Sequence, residues 1–550
     1  MTTPFEIADR LTESYSDLSP ILATTNGVAG RDHLWDDFSP DGEAAKADLR
    51  AATIAELVPF LEDEDPIQSA AARVIVGYFS LLNRRYQSGY WKRDLNHIYS
   101  PFQRARDTFD VASKDGAQAW DNIVSRLSTF GEPLAGYREC LQVGLEEGEV
   151  VALRQASSLV EQVRSVAGDD SRFIGYPDLA AAAGGDPVRV ADAVAEARSA
   201  AAQLADWLEN EYLPAADPRD AIGEDRYLEG SEYFLGMDLD PNETYEWGWS
   251  EVDRLRREMR ETSAEIDPDR SIEEVIELLD TDPSRSAPDH QAFARFVKRI
   301  QDEAVEQLDG SAFDVPDEIR EVTVNIAPPG GSLGAWYHNP SEDFSRPGSI
   351  WYAPGERTRI PYWGEVATAY HEGFPGHHLQ VGVAMLQREK LSRFQRHFIW
   401  YSGSGEGWAL YAERLMDELG YFANPEYRLG LLASQLFRST RVVVDIGTQL
   451  EKKIPAGAPL HAGEVWSYAL AVDYIERIGL QARDVAESEV KRYLGWPAQA
   501  ISYKVGEREI LDIRAQAAAR ARENFDLKAF HRRLLEAGAI RLDDLREAMV

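Results

Sequence analysis

AYHEGFPGHHLQ, residues 369–380, holds three of the ten histidines of this 550-residue chain within the eight positions 371–378. His371 and Glu372 are the first two letters of H-E-x-x-H, a helical pattern that sets two imidazoles one turn apart with a glutamate between them. Pro375 stands where the second histidine is due, and His377 and His378 follow it.

An unbroken helix would not restore the pattern. At i+6, His377 would point roughly 120° away from His371; at i+7, His378 would share its face but lie about 10.5 Å along the axis. Pro375 prevents that helix, because it lacks an N–H, clashes with the carbonyl of His371 and disfavours the α region at Phe374. Gly376 then admits dihedrals that other residues avoid. The Pro-Gly pair is therefore expected to be an excursion that returns a histidine to the side of His371. Either His377 or His378 could arrive, with His377 slightly favoured because it needs only a two-residue insertion.

Histidines converging in this way suit Zn²⁺, whose catalytic sites take three protein ligands. The expected third ligand is Glu406 in SGSGEGWALYAERLMDELG (402–420). Gly403, Ser404 and Gly405 read as a flexible entry, and a packed helix runs from Glu406 to the stop at Gly420. Glu413 lies two turns on along the same face, either behind the site or as a surface charge.

HEGFPGHH followed by SGEGWALYAE resembles a bacterial family catalogued as domain of unknown function 885, whose recurrent motifs are H-E-x-x-P-G-H-H and E-G-W-A-x-Y-x-E. The resemblance extends over most of the chain and includes SRPGSIWY (345–352), RVVVDIG (441–447) and QAISYKVG (499–506). In arrangement the family is similar to gluzincin-type helical zinc peptidases such as carboxypeptidase Taq and the thimet-type oligopeptidases. The resemblance implies a zinc peptidase in which His371, one or both of His377 and His378, and Glu406 hold the metal and Glu372 is the general base. Tyr503 is the expected donor to the tetrahedral oxyanion. If a substrate carboxylate is bound, Lys504, Arg441 and Arg346 are the expected cations. Asp445, one turn beyond Arg441, is expected to pair with it.

Two alternatives share these residues. One is a helical binding or scaffold protein whose metal site is closed by His371, His377, His378 and Glu406. The other is a zinc hydrolase of non-peptide amides or esters.

The formal net charge of −36 argues against nucleic acid or an anionic membrane surface as the main partner. A peptide is the expected partner, and oligomeric state is not legible. No run of residues approaches the ~18–20 apolar positions that span a bilayer. MTTPFEIADRLTESYSD lacks a basic start and an apolar core, and Cys140 is the only cysteine, so a cytoplasmic address is expected. Cys140 itself reads as a buried thiol.

Apolar residues recur at helical spacing at Val190, Val194, Ala197, Ala201 and Leu204, and again from Phe293 to Leu308. Stretches 168–188, 214–225 and 280–290 read as loops. EVTVNIAPPGG (321–331), AWYHNP (335–340) and SIWYAP (349–354) read as strands. An edge of that sheet could pair with an extended peptide. PYWGEVATAYHE then restarts a helix, with Pro361 in its first turn. The expected fold is mainly α: a large helical, bilobed, metallopeptidase-like body with a small antiparallel β-sheet next to the active-site helix. Residues 1–300 would form one wall of a substrate channel, and 301–550 the metal-site region.

Overall fold

Several helices of the chain open on the same local chemistry, a capping side chain followed by proline at the first helical turn. Asp186 accepts from the N–H groups of Val188 and Arg189 ahead of Pro187–Trp207, and Asp240 does the same for Asn242 and Glu243 ahead of Pro241–Ile266. Each such cap is worth about 1 kcal/mol, since it satisfies helix-end donors that otherwise lack partners. The computed structural model describes residues 2–327 and 334–550.

The chain divides into two compact units. One comprises residues up to 222 with 392–398 and 494–496; the other comprises 223–391, 399–493 and 497–550. The first boundary therefore falls at Ile222, not at residue 300. The reason is Pro241–Ile266, which lies along the long helix Pro425–Gln449 of the second unit. A Cβ on Gly248 would come within 2.8 Å of Val442 and 3.0 Å of Val443, so glycine permits that approach.

The first unit is helical, and a large part of it packs around one apolar cluster. Val190, Val194, Ala197, Ala201 and Leu204 are buried among Trp120, Phe130 and Phe173, as the helical spacing predicts. The 168–188 stretch contains a short helix, Tyr176–Ala182, whose Tyr176 joins the same core. Cys140 is buried and donates to the Phe38 carbonyl at 3.1 Å, and burial pushes its thiol up.

The second unit carries the strands. Val322–Ile326 (β2), Gly334–His338 (β3) and Gly348–Ala353 (β4) form a three-stranded sheet in the order β2-β4-β3. β3 pairs antiparallel with β4, as expected, while β2 joins its other side parallel. Residues 328–331 of the first strand reading lie outside the described residues. Ser286–Ala287 (β1) and Ile360–Pro361 (β5) form a separate antiparallel pair. Pro361 thus lies in a strand opposite Ser286, and the following helix begins later, at Glu365. Proline can occupy a two-residue edge pairing because no donor is required there.

Candidate metal centre

The helix Glu365–Glu372 ends at the expected place, and a second helix, His377–Leu386, begins five residues on. Three partners fix the excursion between them. Buried Gln301 donates to the Ala369 carbonyl at 2.8 Å and accepts from the Phe374 N–H at 2.5 Å. Trp408, fully buried, donates its indole N–H toward the carbonyls of Pro375 (3.0 Å) and Gly376 (3.2 Å). The Gly376 N–H reaches back to the Tyr370 carbonyl at 3.0 Å. A Cβ on Gly376 would lie 1.9 Å from the His371 carbonyl oxygen, so only glycine fits this return.

The excursion brings His377 to His371. Their rings are 5.0 Å apart and nearly perpendicular. The Glu406 Oε2 atom lies 3.3 Å from His371 Nε2 and 3.4 Å from His377 Nε2. One ligand atom from each of the three residues lies within 4.8 Å of the other two. A tetrahedral ion with bonds of about 2.0–2.1 Å requires ligand atoms about 3.3–3.4 Å apart, which matches both distances to Glu406. Glu406 Oε2 is also buried without a hydrogen bond of acceptable geometry, an arrangement that costs free energy unless a cation meets it. The donor set of two imidazoles and a carboxylate fits Zn²⁺.

His378 points elsewhere. Its Nε2 lies 2.8 Å from the Ile319 carbonyl, which can only accept, so that nitrogen carries the proton. Its Nδ1 lone pair then accepts from the Tyr337 hydroxyl at 3.0 Å. No lone pair is left for a metal. Burial pushes this imidazole down to about 4, against the opposing bond to Ile319, so it is neutral. Gly348, in SRPGSIWY, makes room for the arrangement: a Cβ there would meet the Tyr337 hydroxyl at 2.1 Å.

The carboxylate helix, Ser402–Glu418, starts four residues before Glu406. The expected flexible entry of Gly403, Ser404 and Gly405 is therefore helix. These glycines serve close packing: a Cβ on Gly405 would strike the Trp400 ring at 2.1 Å, one on Gly403 would meet Leu542 at 2.8 Å and Leu235 at 3.0 Å, and one on Gly407 would meet Gly506 of the helix Ser502–Ala521 at 2.5 Å. Glu413 is fully buried, with Oε1 2.7 Å from His371 Nδ1 and Oε2 accepting from Ser434 at 3.5 Å. The His371 ring thus sits between two carboxylates of one helix face, which fixes its Nδ1–H toward Glu413 and its Nε2 toward Glu406.

Burial alone would push His371 down, but Glu406 and Glu413 outweigh it and raise the imidazole to about 10. Burial likewise pushes Glu406 up, and His371 and His377 outweigh it, holding the carboxyl well below the ordinary range. The partly exposed Glu372 is raised by burial, with His371, His377 and Arg438 pulling against the shift. Its carboxylate makes no hydrogen bond to the described residues, which leaves it able to take a proton.

The other expected residues divide. Tyr503 stacks on His371, with ring centroids 6.3 Å apart and an interplanar angle of 17°, and its hydroxyl accepts from Arg492 at 3.4 Å. Arg441 is buried, with its guanidinium 4.6 Å from the Tyr503 ring and 2.9 Å from Glu489. It does not pair with Asp445. That carboxyl is buried against the Ala498 N–H and the Tyr227 hydroxyl, and burial raises it far above its usual range. Lys504 is not a substrate cation: its ammonium is buried against Gln435, Glu507 and Glu251. Arg346 is exposed on the loop between β3 and β4, and its charge acts on Tyr337 and His338.

Two residues beside the site escaped the sequence reading. Trp400 is 43% exposed, and its ring lies 6.1 Å from His377. Arg438 binds Ser434 at 2.8 Å and sits 5.9 Å from the Tyr503 ring. The available signal for Arg438 was its position three residues before Arg441, on the same face of a predicted helix.

Comparison with solved structures gives a chain described as "the putative lipoprotein from Colwellia psychrerythraea", with a TM-score of 0.85, 22% identity and coverage of 99% of this chain and 98% of that one. A second, "a putative lipoprotein of unknown function from Shewanella oneidensis", has a TM-score of 0.73 and 18% identity, and is covered completely in both directions. These likenesses bear on the fold. The expected cytoplasmic address is not upheld: both chains that share the fold carry the description putative lipoprotein. No described helix is long and apolar enough to cross a membrane. No curated protein matches the chain. The model of the family described as "Bacterial protein of unknown function (DUF885)" matches residues 20–549, and the chain belongs to that family.

Proposed function

We propose that the protein is a zinc-dependent hydrolase of peptides, with His371, His377 and Glu406 as metal ligands and Glu372 as general base. The observation that carries this reading is the convergence of the Nε2 atoms of His371 and His377 at tetrahedral spacing from a buried, unbonded Glu406 Oε2, all three ligand atoms lying within 4.8 Å of one another, with Glu372 adjacent in the chain. A bound zinc ion would polarise the scissile carbonyl and lower the pKa of water. Glu372 would take the proton of the attacking water and pass it to the leaving amine. Glu413 and Ser434 would hold His371 in the tautomer that offers Nε2. Tyr503, stacked on His371, and the edge strand β3, whose Tyr337 contacts His378, would line the path of an extended substrate.

This is also the arrangement of the helical zinc peptidases that the sequence resembles, apart from the two-residue insertion. The scaffold alternative needs His378 as a fourth ligand, and both nitrogens of that ring are engaged. Hydrolysis of a non-peptide amide would use the same groups. The test is a defined peptide library incubated with zinc-loaded protein, with products read by mass. Cleavage lost in Glu372→Gln supports the reading; cleavage unaffected by that substitution refutes it.

A further inference from the structure

Arg438 and Arg441 lie one turn apart on Pro425–Gln449, beside the metal centre. Together with Arg492 they surround the Tyr503 ring, which itself stacks on His371. The only carboxylate paired with this group among the described residues is Glu489, which binds Arg441 at 2.9 Å and Arg492 at 3.1 Å. Within this group three guanidinium cations share one ion-paired carboxylate, and Glu372 interacts with Arg438 through its charge without pairing with it. Arg438 carries no carboxylate partner; its Nη1 is held by Ser434. Its Nε is buried without an acceptor, as are the Nε and Nη1 of Arg441. Three unmet guanidinium donors in one place are costly to maintain unless an anion meets them in the working protein.

We propose that Arg438, backed by Arg441, is the residue that receives the free C-terminal carboxylate of the substrate. The planar guanidinium fork matches a carboxylate with paired N–H donors, which an ammonium cannot do. Position limits what can be bound. Arg438 lies 5.9 Å from the Tyr503 centroid and Tyr503 lies 6.3 Å from His371, so the guanidinium is at most about 12 Å from the metal-side ring. An extended chain spans about 3.3–3.6 Å per residue. A carboxylate held at Arg438 therefore sits at most about three residues beyond the bond presented at Glu372, and the products are short, no longer than about a tripeptide, cut from the C-terminus. Ser434 ties this recognition to the metal centre, because it contacts Arg438 on one side and Glu413 on the other.

The inference rests on the hydrolytic reading, and its test separates the two. In the zinc-loaded Glu372→Gln protein, binding of an N-acetylated pentapeptide is measured by calorimetry as the free acid and as the C-terminal amide. The acid is expected to bind at least about tenfold tighter, a preference of about 1.4 kcal/mol. Adding Arg438→Gln should bring that ratio close to one, and Arg438→Lys should keep part of it with the fold undisturbed. A ratio near one before the second substitution, or one unchanged by Arg438→Gln, overturns the assignment of Arg438. Turnover by the protein with Glu372 intact, without acid preference, refutes Arg438 alone. Acid-selective binding without turnover of any peptide refutes the hydrolytic reading and keeps Arg438. Absence of both binding and turnover overturns both.

Discussion

Replacing Gly376 by alanine perturbs the return of the chain to the metal centre and nothing else in composition. The added Cβ would lie 1.9 Å from the His371 carbonyl oxygen and 2.4 Å from that of Tyr370. Carbon and oxygen approach to about 3.3 Å at closest, so a backbone shift of more than 1 Å is required. Both obstacles are main-chain atoms of a packed helix and cannot swing aside. Relief would also stretch the Gly376 N–H bond to Tyr370, now 3.0 Å. Overpacking of this kind costs about 1–3 kcal/mol and the lost hydrogen bond about 1 kcal/mol more. His377 follows directly in the chain, so its imidazole moves with the backbone, whereas metal sites tolerate about 0.2 Å. The expected outcome is a destabilisation of about 2–4 kcal/mol in urea unfolding, with zinc affinity reduced by at least about 100-fold in competition with a chelator. An alanine variant that unfolds within about 0.5 kcal/mol of the parent and keeps its zinc affinity would refute the account of the break.

Glu413→Gln keeps an oxygen near His371 Nδ1 but removes the charge, so zinc affinity measured by chelator competition should fall about 10–100-fold; an unchanged affinity would show Glu413 to be passive. Buried His531 accepts from the Tyr411 hydroxyl at 2.8 Å and donates to the Ala312 carbonyl at 3.0 Å, and burial pushes it down to about 4. Between about pH 6.5 and pH 4 the unfolded chain therefore binds a proton that the folded chain refuses. The contribution is full above pH 6.5 and is lost as pH falls through that window, reaching about 3 kcal/mol. Urea midpoints of the parent and His531→Asn should diverge in slope between pH 7 and 4.5, and parallel slopes would contradict this.

Much of the centre was legible because its determinants are local. Pro375 forbids the regular helix wherever the rest of the chain lies, and Glu406 lies on a helix whose apolar spacing runs over adjacent turns. The choice between His377 and His378 was not legible, because it is made by the Ile319 carbonyl and the Tyr337 hydroxyl from other elements. The same limit explains Lys504, whose burial depends on Glu251 and Gln435. Gly403 and Gly405 read as a flexible entry because glycine is permissive in isolation; against Leu235 and Trp400 it is instead what lets surfaces touch. The helix periodicity at 190–204 carried over directly, whereas the parallel pairing of β2 with β4 depends on a connection that strand patterning does not encode.

The central claim is that His371, His377 and Glu406 hold one metal ion and His378 does not. Zinc stoichiometry after exhaustive dialysis, measured by elemental mass spectrometry on the parent, His377→Gln and His378→Gln, addresses it directly. The account predicts one equivalent in the parent and in the His378 variant, and near zero in the His377 variant. Loss of zinc from the folded His378 variant with retention in the His377 variant would contradict it.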